Sequence, residues 1–313
     1  MLDGSKASLL FRNGSSVVGQ ALAHVRLLQK RGFELGLGCA AGDALCAADG
    51  VARVARERLR ASCGDGGHPV DLLQVGANVG ESRVSAGHAG DPVFAWLRRA
   101  APYWARAVLV EPIQANFEAL VANYRGVEAR VSYVHGAVVE TPGPATFYDL
   151  RRCSEAENDD DMERDNRCLD DYDASSLFAS TNRTFVGWHV GFLSNGAAPI
   201  VRRTVPGFDW ATLLTTHGGD AVGLLLLDVE SMDCDLLLRF PFDDVRPDVV
   251  VFEQNYCVSA QREKRAAVDA ALVALGYEEA PGFLGDARND ACYVRTGPLA
   301  VARPFASRSS AAA

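Results

Sequence analysis

Short apolar runs alternate with segments of helical periodicity through most of the chain after residue 66. The runs are apolar at consecutive positions, which is typical of strands covered on both faces, as in a parallel sheet. They are bounded by glycine, proline or charged residues, and they lie at 70–75, 107–110, 131–134, 221–227 and 248–252. The order is β-α-β-α-β, then a long excursion, then β-α-β. It predicts an α/β protein with a doubly wound, mostly parallel sheet.

Two helices and a final strand pair complete this pattern. The first helix carries apolar residues at i, i+3, i+4 and i+7 and ends before Gly126; these are Phe117, Leu120, Val121 and Tyr124. The second runs from Val268 to Leu275 with the same spacing and ends at Gly276. Around 276–278 and 291–294, two more segments are separated by a loop rich in Gly, Asp and Asn. They predict a C-terminal antiparallel pair.

The remaining segments suggest how the chain is organised. Helical spacing within residues 1–66 predicts an N-terminal helical extension, residues 67–300 form the expected main domain, and 301–313 the expected disordered tail. Ten acids and two arginines in 155–173 contribute −8 of the formal net charge of −9. This stretch belongs to an insertion at about 150–205. It lacks the glycine and the spacing of an EF-hand, so we expect a solvated loop or a lid on the acceptor side.

Charge and cysteine content exclude several function classes. Outside the acidic stretch the chain is near neutral, so no basic field favours nucleic acid, and no run of 18 apolar residues is present to span a bilayer. The first thirty residues lack the layout of a signal peptide, and we expect a cytoplasmic protein in a reducing compartment. The eight cysteines include no C-x-x-C pair, which argues against a zinc site. Cys153 and Cys168 flank the acidic stretch and can bridge it in an oxidising compartment.

A glycine-rich turn follows the first strand, with Gly76, Ala77, Asn78 and Gly80 in the sequence Val-Gly-Ala-Asn-Val-Gly. Glycines let the backbone approach a ligand closely, and a following helix start offers free N–H groups to a carboxylate or phosphate. A nucleotide-type ligand suits such a turn, although a purely structural turn is the alternative. The spacing departs from the dinucleotide pattern G-x-G-x-x-G, which argues against an NAD-dependent dehydrogenase.

Three acids stand where strands of the predicted sheet end. Glu111, before Pro112, ends the second strand, where an acid can accept hydrogen bonds from both hydroxyls of a ribose. Its alternative role is that of an acid at a helix N-terminus. Asp228 and Glu230 follow an uninterrupted apolar strand, and they are candidates for a general base. Their alternative role is to cap the following helix.

The combination of these motifs resembles the FkbM-type methyltransferase family over roughly residues 70–295. The motifs that carry the resemblance are Gln74–Gly80, Val110–Pro112 with Asn116, Phe117 and Leu120, His135–Ala137, Ser175–Leu177, Phe208–Asp209, Asp228–Glu230 and Phe252–Glu253. The resemblance implies a class I methyltransferase fold, which is Rossmann-like, with S-adenosylmethionine as donor. It also implies an oxygen acceptor, here a hydroxyl on a sugar or small molecule.

The resemblance also assigns roles to individual residues. Gly76, Asn78 and Gly80, with Ala77 between them, would hold the methionine part of the cofactor. Glu111, with Pro112, would bind the ribose, and the adenine edge would contact His135, Gly136 and Ala137. The sequence departs from the family pattern Asp-x-Glu-Gly-x-Glu, because it has Ser231 at the glycine and Asp233 at the last acid. That departure bears on the acceptor more than on the cofactor.

Methyl transfer from a sulfonium needs mainly proximity and orientation, and a base only for the proton of the acceptor. We expect Asp228 or Glu230 to position or deprotonate that hydroxyl, with His135 as an alternative base. No metal ligand is assigned. A metal-assisted reaction is nevertheless the second hypothesis, because Asp228 and the Glu253–Asn255 cluster end adjacent strands and oxygen ligands suit Mg²⁺. A non-catalytic nucleotide-binding module of the same fold is another alternative.

Overall fold

The structure is a computed structural model, and it describes residues 70–80, 93, 106–126, 130–150, 179–193, 200–218, 222–279 and 290–295. The expected N-terminal extension, the acidic 155–173 stretch and the C-terminal tail lie outside the described residues. The sequence also predicts an inserted loop at 87–92 before a helix at 94–105, and these segments lie outside the described residues as well.

The described residues form ten strands and six α-helices. The strands are β1 (Val70–Val75), β2 (Arg106–Glu111), β3 (Arg130–His135), β4 (Ala137–Val138), β5 (Gly143–Leu150), β6 (Ile200–Phe208), β7 (Val222–Leu227), β8 (Val249–Glu253), β9 (Tyr277–Glu279) and β10 (Asp290–Arg295). The helices are α1 (Gln114–Asn123), α2 (Arg183–Leu193), α3 (Trp210–Leu213, continued by a π-helical turn to Gly218), α4 (Asp233–Arg239), α5 (Asn255–Ala260) and α6 (Arg262–Ala274).

Seven strands build one sheet in the order β3-β2-β1-β7-β8-β10-β9. The first five of these are parallel, whereas β10 is antiparallel to both of its neighbours, β8 and β9. The α/β class, the mostly parallel sheet and the C-terminal antiparallel pair are therefore confirmed, and the arrangement is compatible with a Rossmann-like fold. Chain order reverses between β1 and β7, so the carboxyl ends of these two strands flank a crevice in which open α/β sheets bind ligands.

The central strands form because they bury side chains on both faces of the sheet. All six residues of β7 are buried, as are all residues of β2 after the first. Burial at consecutive positions is what the uninterrupted apolar runs predicted, and each of the five parallel strands begins and ends within a residue or so of its predicted bounds. These strands pack with α4, α5 and α6 into a large cluster of buried apolar residues. None of the described helices is long and apolar enough to cross a lipid bilayer.

A second sheet has three strands in the order β4-β6-β5. In sequence, β4 and β5 come before the expected insertion, and β6 comes at its end. β5 and β6 pair antiparallel along eight positions, from Gly143 opposite Gly207 to Leu150 opposite Ile200. The sequence pattern did not predict this pair, because buried and exposed positions are mixed along both strands and leave no continuous apolar run. The insertion expected at about 150–205 therefore begins and ends in regular structure.

A buried ion pair joins the start of β8 to the last strand. Arg295 Nη2 donates to Asp248 Oδ1 at 2.5 Å, and the two residues are 5% and 4% exposed. The backbone N–H of Arg295 also donates to the Asp248 carbonyl at 2.9 Å. Beside them, the Tyr277 hydroxyl donates to the Pro247 carbonyl at 2.5 Å. The antiparallel end of the sheet is thus held by polar contacts that are shielded from water.

Replacing one member of this pair should destabilise the protein strongly, because the other charge is left buried without a partner. We expect Asp248→Ala to lower the free energy of unfolding by about 3–5 kcal/mol, measured by urea denaturation. Glu140→Gln is the matched control, since it removes the exposed pair between Arg239 and Glu140. That change should cost at most about 1 kcal/mol. Equal losses in the two variants would contradict a structural role for the buried pair.

Candidate functional site

A cavity opens at the carboxyl edge of the main sheet, between its strand ends and the second sheet. The space between the lining atoms, including the open mouth, is about 930 Å³. The lining residues are Val75, Gly76, Asn78, Glu111, Pro112, Gly136, Ala137, Val138, Val139, Glu140, Phe147, Ala179, Thr181, Asp228, Val229, Glu230, Met232, Leu236 and Arg239. The cavity therefore brings together most of the residues predicted from sequence.

The glycine turn after β1 is held against both neighbouring strands. The N–H groups of Gly76 and Ala77 donate to the Val110 carbonyl, each at 3.0 Å, and the Asp228 N–H donates to the Val75 carbonyl at 2.9 Å. Gly76 has φ of +86°, and a Cβ atom there would overlap with the Asp228 carbonyl. Glycine is required at this position for both its conformation and its closeness to the chain after β7.

Not every residue of the turn faces the cavity. Ala77 is buried, and the space that a Cβ of Gly80 would occupy is taken by the Tyr124 ring. Neither residue is among those that line the cavity in the described part of the chain. Asn78, with φ of +49°, does line it. The cofactor contacts implied for the turn therefore fall on Gly76 and Asn78, whereas Gly80 permits the close packing of α1.

Glu111 is a buried acid whose carboxylate is held by three donors. Its Oε2 accepts from the Asn78 N–H at 2.9 Å, and its Oε1 accepts from the Ile113 N–H at 2.9 Å and from Asn116 Nδ2 at 3.4 Å. Burial, at 4% exposure, raises the pKa of Glu111 to about 7 despite these hydrogen bonds. A carboxylate offers about four lone-pair sites, so it keeps the capacity to accept from a ligand hydroxyl in the cavity.

The chain after β3 supplies one wall of the cavity. Gly136 and Ala137 line it, and the Gly136 N–H donates to the Glu111 carbonyl at 3.0 Å. The His135 side chain has a different environment, with its Nε2 3.1 Å from the Pro112 carbonyl and its ring 5.1 Å from that of Phe117. Among the described residues, His135 is not one that lines the cavity. The His135 ring thus contacts the backbone at Pro112. This position gives little support to His135 as the base that deprotonates the acceptor.

Carboxyl groups converge on the cavity from the ends of β7 and β8. Asp228, Glu230 and Glu253 each place an oxygen within 4.8 Å of the others, which makes them a group able to hold a metal ion among the described residues. The adjacency follows from the parallel register of the two strands, in which Leu227 lies opposite Phe252. A further acid, Asp233, is buried and accepts from the Val229 N–H at 3.2 Å.

The protonation of this carboxyl cluster is shifted mainly by burial. Asp228 is exposed and lines the cavity, and the surrounding protein raises its pKa to about 6. Burial and the neighbouring Asp228 and Asp290 raise the pKa of Glu253 to about 8. Burial also raises the pKa of Glu230 and of Asp233, each with a smaller contribution from the neighbouring acids. Near pH 7, Asp228 is therefore the member of the cluster best suited to be charged.

The loop after β7 has backbone dihedral angles that are unusual for residues other than glycine. Glu230 and Ser231 have φ of +50° and +84°, a region that favours glycine. The Ser180 hydroxyl donates to the Glu230 carbonyl at 2.7 Å and lies 3.1 Å from the Ser231 hydroxyl. The position at which the FkbM pattern has glycine thus requires a positive φ, and Ser231 adopts it with support from Ser180.

No family model and no curated protein matches this sequence.

Several lining residues were not predicted from sequence. Met232 and Leu236 lie two and six residues after Glu230, so their position after a strand end is a signal that could have found them. Phe147 lies in β5 just before the insertion, Ala179 and Thr181 lie within the insertion, and no motif surrounds them. The cavity thus combines a polar floor, at the ends of the parallel strands, with an apolar wall from the second sheet and α4. A floor of this kind can bind hydroxyls and a cation, while the wall excludes water.

The closeness of Gly76 to Asp228 gives a direct test of how the floor is built. We expect Gly76→Ala to lower the free energy of unfolding by at least about 2 kcal/mol more than Gly126→Ala. Both glycines have φ near +85°, but nothing lies within 4 Å of a Cβ at Gly126. The control therefore carries only the cost of the left-handed conformation, about 1–2 kcal/mol. Equal losses in urea denaturation would contradict the close approach of the two loops.

Proposed function

We propose that this protein is an S-adenosylmethionine-dependent methyltransferase of the class I fold that methylates a hydroxyl on a sugar or small molecule. The observation that carries the proposal is the cavity at the reversal of strand order. A glycine turn, a ribose-type acid and a strand-end carboxylate all line it, and they come from β1, β2 and β7. The resemblance to FkbM-type methyltransferases supports the same conclusion.

The residues at the β1–β3 end fit the cofactor. Gly76 keeps the backbone free of a side chain at the turn, and Asn78 lies beside it at the cavity surface. Three donors leave about one of the four lone-pair sites of the Glu111 carboxylate free, and that site is preorganised to accept from a ribose hydroxyl. Gly136 and Ala137 leave a flat surface for the adenine edge. S-Adenosylmethionine supplies a methyl group already activated by its sulfonium.

The residues at the β7 end fit the acceptor. Asp228 lines the cavity, and its pKa of about 6 lets it act as a general base near neutral pH. It takes the proton of the acceptor hydroxyl as that oxygen gains the methyl group. Glu230 lies next to it, and its raised pKa favours the protonated form, which can donate a hydrogen bond that orients the acceptor. Val139, Phe147 and Leu236 line an apolar wall against which the acceptor packs.

Cofactor affinity should depend on the charge of Glu111. Because the carboxylate accepts hydroxyl hydrogens and the neutral acid accepts them less well, binding should strengthen as pH rises through the pKa of about 7 and level off above it. About one tenth of a group with that pKa is charged at pH 6, so the dissociation constant should fall about tenfold between pH 6 and pH 8. Calorimetric titration with S-adenosylmethionine measures it.

Glu111→Gln is the matched control for that titration. It keeps the shape of the side chain but cannot ionise, so affinity should be weak and the step near pH 7 should disappear. Titration of the ligand's own amino group affects both proteins equally. A step of the same size in the variant would contradict the role of Glu111, and tighter binding of NAD than of S-adenosylmethionine would contradict the proposed function.

Asp228→Asn should separate binding from transfer. The amide keeps the size of the side chain but cannot take a proton, so cofactor affinity should change less than about threefold while the transfer rate falls by about 10²–10⁴. Release of S-adenosylhomocysteine in a screen of sugars and small alcohols reports the rate. Asp244→Asn is the control, since Asp244 is exposed and is not among the lining residues of the described chain. Full turnover by Asp228→Asn would dismiss Asp228 as the base.

A metal-assisted variant of the reaction is the second candidate, and the carboxyl group of Asp228, Glu230 and Glu253 is the observation that favours it. Oxygen ligands at this spacing suit Mg²⁺, which would polarise the acceptor hydroxyl. The metal-independent reaction predicts that activity survives dialysis against a chelator. Activity lost in chelator and restored by Mg²⁺, with the restoration weakened in Glu253→Gln, would instead establish the metal-assisted variant.

A non-catalytic nucleotide-binding module of the same fold is the remaining alternative. Such a module would bind S-adenosylmethionine and release no S-adenosylhomocysteine with any acceptor. We also propose a cytoplasmic enzyme without a nucleic acid partner; the near-neutral charge outside the acidic stretch supports the absence of nucleic acid.

A further inference from the structure

A disulfide joins the two chain segments that carry the carboxyl cluster. Cys234 lies in the first turn of α4 and Cys257 in α5, with their Cα atoms 6.2 Å apart. The two residues are 0% and 1% exposed. α4 continues the loop after β7 that holds Asp228 and Glu230, and α5 begins two residues after Glu253. The covalent link therefore spans the two loops that end adjacent parallel strands.

The two loops that the disulfide joins carry acidic side chains that face one another. Asp228, Glu230 and Asp233 follow β7, and Glu253 ends β8 and faces them at close range. Asp290 on β10 lies near Glu253, and Asn255 donates to the Glu253 carboxylate at 3.4 Å. The spacing of these acids depends on how closely the two loops are held. A covalent bond between the helices that follow restrains that spacing.

Other polar contacts of these two helices lead to different elements. The Lys264 ammonium on α6 contacts the Asp235 carboxylate on α4 at 2.5 Å, with the Lys264 side chain 41% exposed. The Tyr256 hydroxyl on α5 accepts from Asn182 Nδ2, which directly precedes α2, at 3.1 Å. An ion pair as exposed as Lys264–Asp235 stabilises little and weakens in salt. Neither contact joins α4 to α5, so the disulfide is the covalent restraint between these helices in the described part of the chain.

The cofactor end of the cavity does not depend on the disulfide in the same way. The glycine turn is held by the bonds of Gly76 and Ala77 to the Val110 carbonyl, and Gly136 is held by the Glu111 carbonyl. All of these contacts lie among β1, β2 and β3, on the opposite side of β7 from the disulfide. Opening the disulfide should therefore loosen one half of the cavity and leave the other half in place.

We propose that the Cys234–Cys257 disulfide is a positioning device that holds the loops after β7 and β8 together and so shapes the acceptor end of the cavity. Its meaning for catalysis rests on the proposed function, but its effect on the loops does not. A dithiol reductant would open it by supplying two electrons and two protons, which leaves two thiols and an oxidised reductant. Burial of both sulfurs protects the bond in the native protein.

Hydrogen exchange on the full chain tests the proposal without any assay of activity. Three forms are compared: the oxidised protein, the protein reduced in denaturant and refolded with reductant, and the Cys234→Ala/Cys257→Ala double variant. The Leu236 and Val258 amides, which donate to the Met232 and Gln254 carbonyls, report on the starts of α4 and α5. Their exchange should be at least about tenfold faster in the second and third forms, with the Gly76 and Gly136 amides within about twofold.

The double variant also controls for the other cysteines. The chain has eight cysteines, so reductant has targets besides this pair. Reductant should produce no further change at Leu236 and Val258 in the variant. The reduced wild type keeps both sulfur atoms, and it therefore separates loss of the bond from the cavities that alanine leaves. Unchanged exchange in the reduced protein, or an equal rise at all four amides, would overturn the proposal.

A second measurement connects the device to the reaction. In the reduced protein the dissociation constant of S-adenosylmethionine should stay within about twofold, while kcat/KM for the acceptor falls about tenfold or more. A purely structural bond would weaken both together, and that outcome would count against positioning. If no form of the protein binds S-adenosylmethionine, the proposed function fails, whereas the exchange rates still decide whether the disulfide positions the loops.

Discussion

The close approach of Gly76 to the Asp228 backbone is the constraint on which the site depends. At the reversal of strand order, β1 and β7 are neighbours, and the turns that follow them touch without space for a side chain. The same turn reaches β2 through the Val110 carbonyl and Glu111 through the Asn78 N–H. One glycine therefore brings the ends of three strands to a common floor, and the cavity exists because no side chain fills that junction.

Electrostatics divides this floor into two halves. Glu111 is buried alone and satisfied by three donors, as suits a group that orients a neutral diol. Around Asp228, by contrast, several acids lie close together. Burial and these neighbouring acids raise the pKa of Glu230 and of Glu253, as suits proton transfer or cation binding. A disulfide across α4 and α5 restrains the spacing of these acids. That bond persists best in an oxidising compartment, whereas the sequence favoured a reducing one.

The strands whose residues are apolar at consecutive positions could be predicted from the sequence. The acids that follow these strands and form the polar floor of the cavity could be predicted with them. β1, β2, β7 and β8 are buried on both faces, and β3 carries a shorter apolar run at the edge of the sheet. Their parallel order places Glu111 and Asp228 at one edge of the sheet. β5 and β6 mix buried and exposed positions, so neither the second sheet nor its wall residue Phe147 left a pattern to recognise. The roles of Gly80 and His135 depend on packing against α1, and the Cys234–Cys257 pairing depends on how α4 meets α5. Contacts of this kind are set by tertiary structure.

We propose that the cavity holds S-adenosylmethionine across the ends of β1, β2 and β3, and a crystal structure of the protein with S-adenosylhomocysteine would show whether it does. We expect a ribose hydroxyl within hydrogen-bonding distance of the Glu111 carboxylate and the amino acid part beside Gly76 and Asn78. The adenine should lie along Gly136 and Ala137, and the sulfur should face Asp228. A ligand bound outside this cavity, or one whose ribose makes no contact with Glu111, would show that the site is assigned wrongly.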